Sequence, residues 1–124
     1  MKSTIDRKEK YCTYQPLEEN LLSTLAPQLK ADLVSLNNEG YRNIILNLQS
    51  VKFIDSSGLS AVLIGYRLCR DAKGHFILTG LGDSVQKLIK ISQLDTILSV
   101  TPSLAEAVDM IMLEEMEREI KDMQ

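Results

Sequence analysis

Residues 43–48, Asn-Ile-Ile-Leu-Asn-Leu, constrain this chain more than any other stretch. The run is short, β-branched and mostly apolar, the character of a central strand covered on both faces. A strand of that kind needs helices above and below its sheet. The neighbouring segments supply them. Residues 59–69 are too long an apolar stretch for a strand and carry helical spacing, and Gly74 in "AKGH" stands where a glycine commonly ends a helix. "FILTG" at 76–80 is the next strand. Asp83 is predicted to cap a helix over Val85, Leu88, Ile89 and Ile91, and "TILSV" at 96–100 to form a last strand.

Before the central run, Ser3–Arg7 and Tyr11–Gln15 are β-tolerant segments split by the charged "KEK", and they read as a hairpin that Pro16 stops. Leu22, Leu25, Leu29, Leu33 and Leu36 step by three or four, the period of an amphipathic helix. Pro27 requires that helix to start near Ala26 or to bend there. "NNEG" at 37–40 is a turn. After the last strand, Ser103 with Glu106 three residues on forms a capping box, opening a helix that runs towards the end. The class is therefore α/β: a mixed sheet of about five strands, from a hairpin plus parallel crossovers, covered by about four helices. Residues 1–112 read as one domain and 113–124 as a helical extension of it.

Charge and cysteine content exclude several roles. A formal charge of −3 gives no field to attract nucleic acid or anionic lipid. No stretch approaches the roughly 18 apolar residues of a membrane span, and "MKSTIDRKEKYC" lacks the apolar core of a signal peptide, so the expected location is the cytoplasm. Cys12 and Cys69 fit no C-x-x-C pattern and read as reduced structural thiols. With a single His, a zinc site lacks ligands, and no residue set for a cofactor is present.

The stretch "KFIDSSGLSA" at 52–61 places Asp55, Ser56, Ser57 and Gly58 where an apolar run gives way to a helix. Asp or Ser there serves as an ordinary helix cap. A nucleophilic serine needs a base, and His75 lies about 20 Å away along a helix rising 1.5 Å per residue. No G-x-S-x-G elbow is present, and "GLGDSVQK" has neither a dinucleotide fingerprint nor a P-loop lysine. A serine that accepts a phosphate remains, because a helix N-terminus tolerates an anion. Gly58 beside it leaves room for an approaching protein surface.

"NIILNLQSVKFIDSSGLSAVLIGYRLCRDAKGHFILTGL" resembles the core of the STAS domain of bacterial anti-sigma factor antagonists, whose signature is an "I-x-L-x-L" strand followed by "D-S-S-G-L". The likeness extends across roughly residues 3–112, and it implies the STAS fold. It also implies a non-enzymatic module that captures a serine-kinase anti-sigma factor when Ser56 is unphosphorylated and releases it when phosphorylated. Ser57 is the second choice of acceptor, and a metal-dependent serine phosphatase resets the switch. Asp55, Gly58 and Leu59 complete the partner-binding motif. Where the family carries "G-x-L-D", this chain has "PLEENLLS", in which Glu19 or Asn20 takes the acidic position near the kinase's nucleotide. The alternatives are a STAS docking subunit of a transporter or stress-signalling complex without phosphate turnover, and a small-ligand sensor.

Two features lie outside that motif. The helix after Ser56 carries two apolar stripes, Leu59, Val62, Leu63 and Tyr66 on one and Ala61, Ile64, Gly65 and Leu68 on the other, where one would suffice to cover a sheet. The second either meets a neighbouring helix or faces a partner. In the tail, Leu113, Met116, Ile120 and Met123 repeat like a short coiled-coil seam, with Glu114–Arg118 and Glu117–Lys121 spaced as i,i+4 pairs. That seam reads as a contact for its own domain or another chain, a homodimer included.

Overall fold

The computed structural model describes Met1 to Gln124. It runs β1 (Ser3–Arg7), β2 (Cys12–Pro16), β3 (Asn20–Leu21), α1 (Ala26–Asn38), β4 (Ile44–Asn47), β5 (Phe53–Ile54), α2 (Ser56–Asp71), β6 (Phe76–Thr79), α3 (Asp83–Ile91), a 3-10 turn (Leu94–Thr96), β7 (Ser99–Thr101) and α4 (Leu104–Asp122). The main sheet has the order β1-β2-β4-β6-β7. Its first pair is antiparallel and the rest are parallel, so a hairpin is continued by crossovers as the sequence predicts.

Alternation along the strands divides the core. Cys12, Tyr14, Ile44, Leu46, Phe76 and Leu78 face α1, α2 and α3 within a cluster of 20 buried residues. Between them, Ile45 and Ile77 turn to the opposite face, where Ala107 and Ile111 of α4 complete a cluster of 4. Three helices therefore share the large core, and α4 covers the other face alone with little apolar contact.

A polar anchor makes up the difference. Glu115 is 3% exposed and accepts hydrogen bonds from Arg42 Nη2 at 2.9 Å and Asn43 Nδ2 at 2.6 Å. Asn43, fully buried, also donates to the Lys10 carbonyl at 2.9 Å and accepts from the His75 amide at 2.8 Å. One side chain thus joins the hairpin turn, the start of β6 and α4. Burial pushes the Glu115 carboxyl pKa up, but the bonds from Arg42 and Asn43 outweigh it and hold the group below the ordinary carboxylate range.

Several boundaries differ from the sequence reading, each for a local reason. The first helix starts at Ala26, one of the two outcomes expected of Pro27, which sits in the opening turn where a missing N–H costs nothing; what differs is that Leu22 and Leu25, counted in its period, precede it. Pro16 sits inside β2, opposite Ser3, rather than after it. At the end of α2 it is Lys73 that takes the left-handed conformation, at φ 62°. Gly74 is required for a different reason: a Cβ there would lie 1.9 Å from the Arg42 carbonyl. Asp83 does not cap α3; Gly82 holds that place without a side-chain bond, and Asp83 is the first helical residue. The predicted strand at 96–100 is a 3-10 turn followed by β7, because the chain first buries Leu98 in the main core and pairs only from Ser99. Ser103 caps α4 by accepting the Glu106 amide at 3.2 Å. The tail's i,i+4 pairs do not form. Arg118 donates to the Lys73 carbonyl and lies by Glu115, while Glu114 meets His75 at 3.6 Å.

Cys12 and Cys69 are both buried and unpaired, and burial pushes each thiol up to about 12. Both should therefore resist iodoacetamide at about pH 8 in the native protein and react once it is unfolded; labelling of the folded chain at the rate of a free thiol would contradict this. Glu115→Ala should lower stability by about 2 kcal/mol at neutral pH. A carboxyl with a depressed native pKa stabilises fully above its unfolded value of about 4.3 and loses that contribution as pH falls through the native value. Urea melts of wild type and Glu115→Ala should accordingly converge towards pH 3, and a gap that stays constant would show that the carboxylate's charge is not what holds α4.

Candidate functional site

Lys52 to Ala61 folds as β5, a cap and the first turns of α2. Sequence reading missed the small parallel sheet of β3 with β5, which pairs Asn20 with Phe53 and Leu21 with Ile54. Two residues per strand are too few to show a period. The Glu19 carbonyl accepts the amides of Lys52 and Phe53 at 2.7 and 3.0 Å. The segment before α1 therefore lies directly beside the segment that leads into α2.

Asp55 fastens the two. One carboxylate oxygen accepts the Gly58 amide at 2.9 Å, the N-cap bond of α2, and the other accepts the Ser23 amide at 3.0 Å. The Asp55 carbonyl takes the Leu59 amide at 2.9 Å, and the amides of Ser56 and Ser57 are left without an acceptor in the chain. These two N–H groups sit at the positive end of the α2 dipole.

Gly58 has a purpose other than room for a partner. A Cβ on it would lie 2.2 Å from the Leu21 carbonyl and 2.7 Å from Ile54 Cγ1, so the space beside it is filled by this chain's own β3 and β5. The glycine lets the first turn of α2 approach that small sheet. Leu59, 6% exposed, belongs to the main core and acts on the site by packing.

Of the five motif residues, Ser56 alone is exposed. Ser57 is half-buried and lines a groove of about 480 Å³ between α1 and α2, together with Ser23, Lys30, Ser60 and Arg67. The same groove answers the question of the two stripes. Leu59, Val62, Gly65 and Cys69 are buried towards the core, where a Cβ on Gly65 would strike the Phe76 ring and Leu33, while Ala61, Leu63 and Ile64 line the α1 side. The stripes therefore meet different surroundings: one packs in the core, while the half-buried Leu63 and Ile64 line the open groove.

Glu19 and Asn20 are exposed, and Glu19 pairs with Lys52 at 3.4 Å with both side chains about two-thirds in solvent. Such a pair contributes little. The β3–β5 pairing nonetheless brings both residues alongside the motif. Phe53, which sequence reading passed over, is 55% exposed two residues before Asp55. A large aromatic left in water beside a functional loop is a contact candidate. His75 stands beside Glu114 at the other end of α2, remote from Ser56.

Comparison with known proteins agrees with this geometry. The STAS domain model matches residues 5–107. A relative from Bordetella bronchiseptica, described as the anti-sigma factor antagonist BtrV, is 32% identical over 81 residues, which cover 65% of this chain and 70% of its own. The crystal structure of an anti-sigma factor antagonist from Thermotoga maritima superposes with a TM-score of 0.79 at 21% identity, covering 88% of this chain and 93% of its own. SpoIIAA, a Bacillus cell fate determinant solved in its phosphorylated form, gives 0.69 at 21% identity over 89% of this chain and 99% of its own. At such identities the structural likenesses speak to the fold.

Asp55→Ala should cost about 1–2 kcal/mol of stability and raise amide exchange at Ser23 and Gly58 together, since one carboxylate protects both. Exchange rising at Gly58 alone would break the link between the loops. Gly58→Ala should destabilise by about 1–3 kcal/mol through the Leu21 contact, read from a urea melt.

Proposed function

The chain belongs to the STAS domain family, and we propose that it acts there as an anti-sigma factor antagonist: a non-enzymatic module that captures a serine-kinase anti-sigma factor while Ser56 is unmodified and releases it once Ser56 carries a phosphate. The observation that carries this reading is the placement of Ser56. Its hydroxyl is the exposed one of the motif, at a helix start whose first two amides are free. The relatives described as anti-sigma factor antagonists, and the phosphorylated form of SpoIIAA, support it.

The chain's contribution to phosphoryl transfer is passive. The kinase brings the base, magnesium and ATP; this protein presents a hydroxyl in a loop that Asp55 holds in place from both sides. A metal-dependent serine phosphatase removes the phosphate and resets the switch. Phe53, and Glu19 with Asn20 beside it, offer the kinase a rim around the serine.

A phosphate adds about −1.5 to −2 charges where a helix N-terminus favours anions, so the domain keeps its fold. In the complex the same charge must be desolvated against the partner, at a cost of several kcal/mol. About 2.8 kcal/mol already weakens binding roughly a hundredfold.

Incubation with the cognate kinase and ATP should phosphorylate wild type and Ser57→Ala but not Ser56→Ala. Ser56→Ala should remain bound to the kinase, and Ser56→Asp should stay folded yet bind at least tenfold more weakly, by about 1.4 kcal/mol. Phosphate in Ser56→Ala but not in Ser57→Ala would move the acceptor to Ser57. No incorporation into wild type would favour a docking subunit without phosphate turnover.

A further inference from the structure

α4 meets its own domain along one side only. Ala107 and Ile111 pack on Ile45 and Ile77, and Glu115 is held by Arg42 and Asn43, so these positions mark the inner side. Each residue turns a helix by about 100°. Leu113 follows Ile111 by two positions and Ile120 follows Glu115 by five, which places both on the outer side. Leu113, Met116, Ile120 and Met123 are 60%, 57%, 52% and 86% exposed. Their three-four-three spacing is that of a helix-pairing seam that no other element of the chain covers.

Side-chain type and charge narrow what fits it. Four of the five methionines, Met110, Met112 and Met116 on α4 and Met123 at its C-cap, are each at least 40% exposed. Unbranched thioethers adapt to irregular apolar surfaces and are favoured where a helix must be received. Glu106, Asp109 and Glu117 share the outer side, and none of them forms an ion pair; Arg118 turns to Glu115 and the Lys73 carbonyl, and Lys121 lies on the His75 flank, in a hollow that Glu117 also lines. A second copy laid against this seam would bring acid to acid, and an anionic bilayer would be repelled likewise.

We propose that the outer face of α4 is a second docking surface whose occupant is a basic amphipathic helix of another protein. Apolar residues of that helix would fill the methionine-lined seam, and its Lys or Arg residues would meet Asp109 and Glu117. The surface lies away from the phosphorylation motif. Ser56 starts α2, whereas the groups that hold the second half of α4, namely Lys10, Arg42, Asn43 and Lys73, belong to the turns that precede β2, β4 and β6. Both surfaces are thus open to occupation at once, and this inference stands independently of the role given to Ser56.

The test is fluorescence anisotropy with a labelled Leu/Lys peptide of about five helical turns, its leucines on one face, against a scrambled peptide of the same composition and a Leu/Glu peptide of the same pattern. Only the patterned Leu/Lys peptide should bind, with affinity falling as salt rises. Ile120→Glu, at an exposed position that leaves the fold intact by circular dichroism, should weaken it about tenfold, Glu117→Lys about threefold, and Ser56→Asp not at all. Equal binding of the scrambled peptide, or indifference to Ile120→Glu, would overturn the proposal. So would a sedimentation profile in which the wild-type chain is a dimer that Ile120→Glu dissociates, since the seam would then belong to a second copy.

Discussion

A strand that is apolar on both faces has to be covered twice, and this requirement organises the molecule. β4 sends Ile44 and Leu46 to one side and Ile45 to the other, with Phe76, Leu78 and Ile77 of β6 following the same division. Three helices answer the demand on one face. On the other the chain has only α4, whose apolar contact is small. The Glu115–Arg42–Asn43 network adds a polar attachment to it, in a place where an unpaired carboxylate would cost several kcal/mol.

The motif at the start of α2 depends on a second constraint, the reach of one short carboxylate. Asp55 satisfies a helix amide on one side and the Ser23 amide on the other, so two loops with no covalent reason to stay together are kept in register. Gly58 allows the contact to be close. With the backbone fixed in this way, two adjacent serines acquire different surroundings: Ser56 faces water, and Ser57 turns into the groove between α1 and α2. The chemical distinction between them comes from the rotation of about 100° along the helix that separates them, because their side chains are the same.

Much of this was legible in the sequence because it rests on patterns with long runs. The continuous apolar character of 43–48, the leucine period of α1 and the capping serine at 103 each led to the element that forms. What escaped had no run to betray it. β3 and β5 are two residues each and exist because their neighbours press them together. Gly74 and Gly58 look like conformational or surface glycines in one dimension and prove to be close approaches to carbonyls distant in sequence, Arg42 and Leu21. The pairs expected within the tail were displaced by tertiary partners: Arg118 and Glu114 found Lys73 and His75, which a helical spacing rule cannot foresee. The serine motif itself could be located from sequence, but which hydroxyl lies open to solvent needed the fold.

Asn43 and Glu115 carry a consequence for what counts as the smallest autonomous piece of this protein. The match to the family model ends at residue 107, and a fragment cut near there would look complete by homology. It would lack Ile111 and Glu115, and with them part of the cover over Ile45 and Ile77, the third partner of the Asn43 amide and the acceptor for Arg42. The family match and the packing of α4 on the sheet therefore end at different places, the second at least as far along the chain as Glu115.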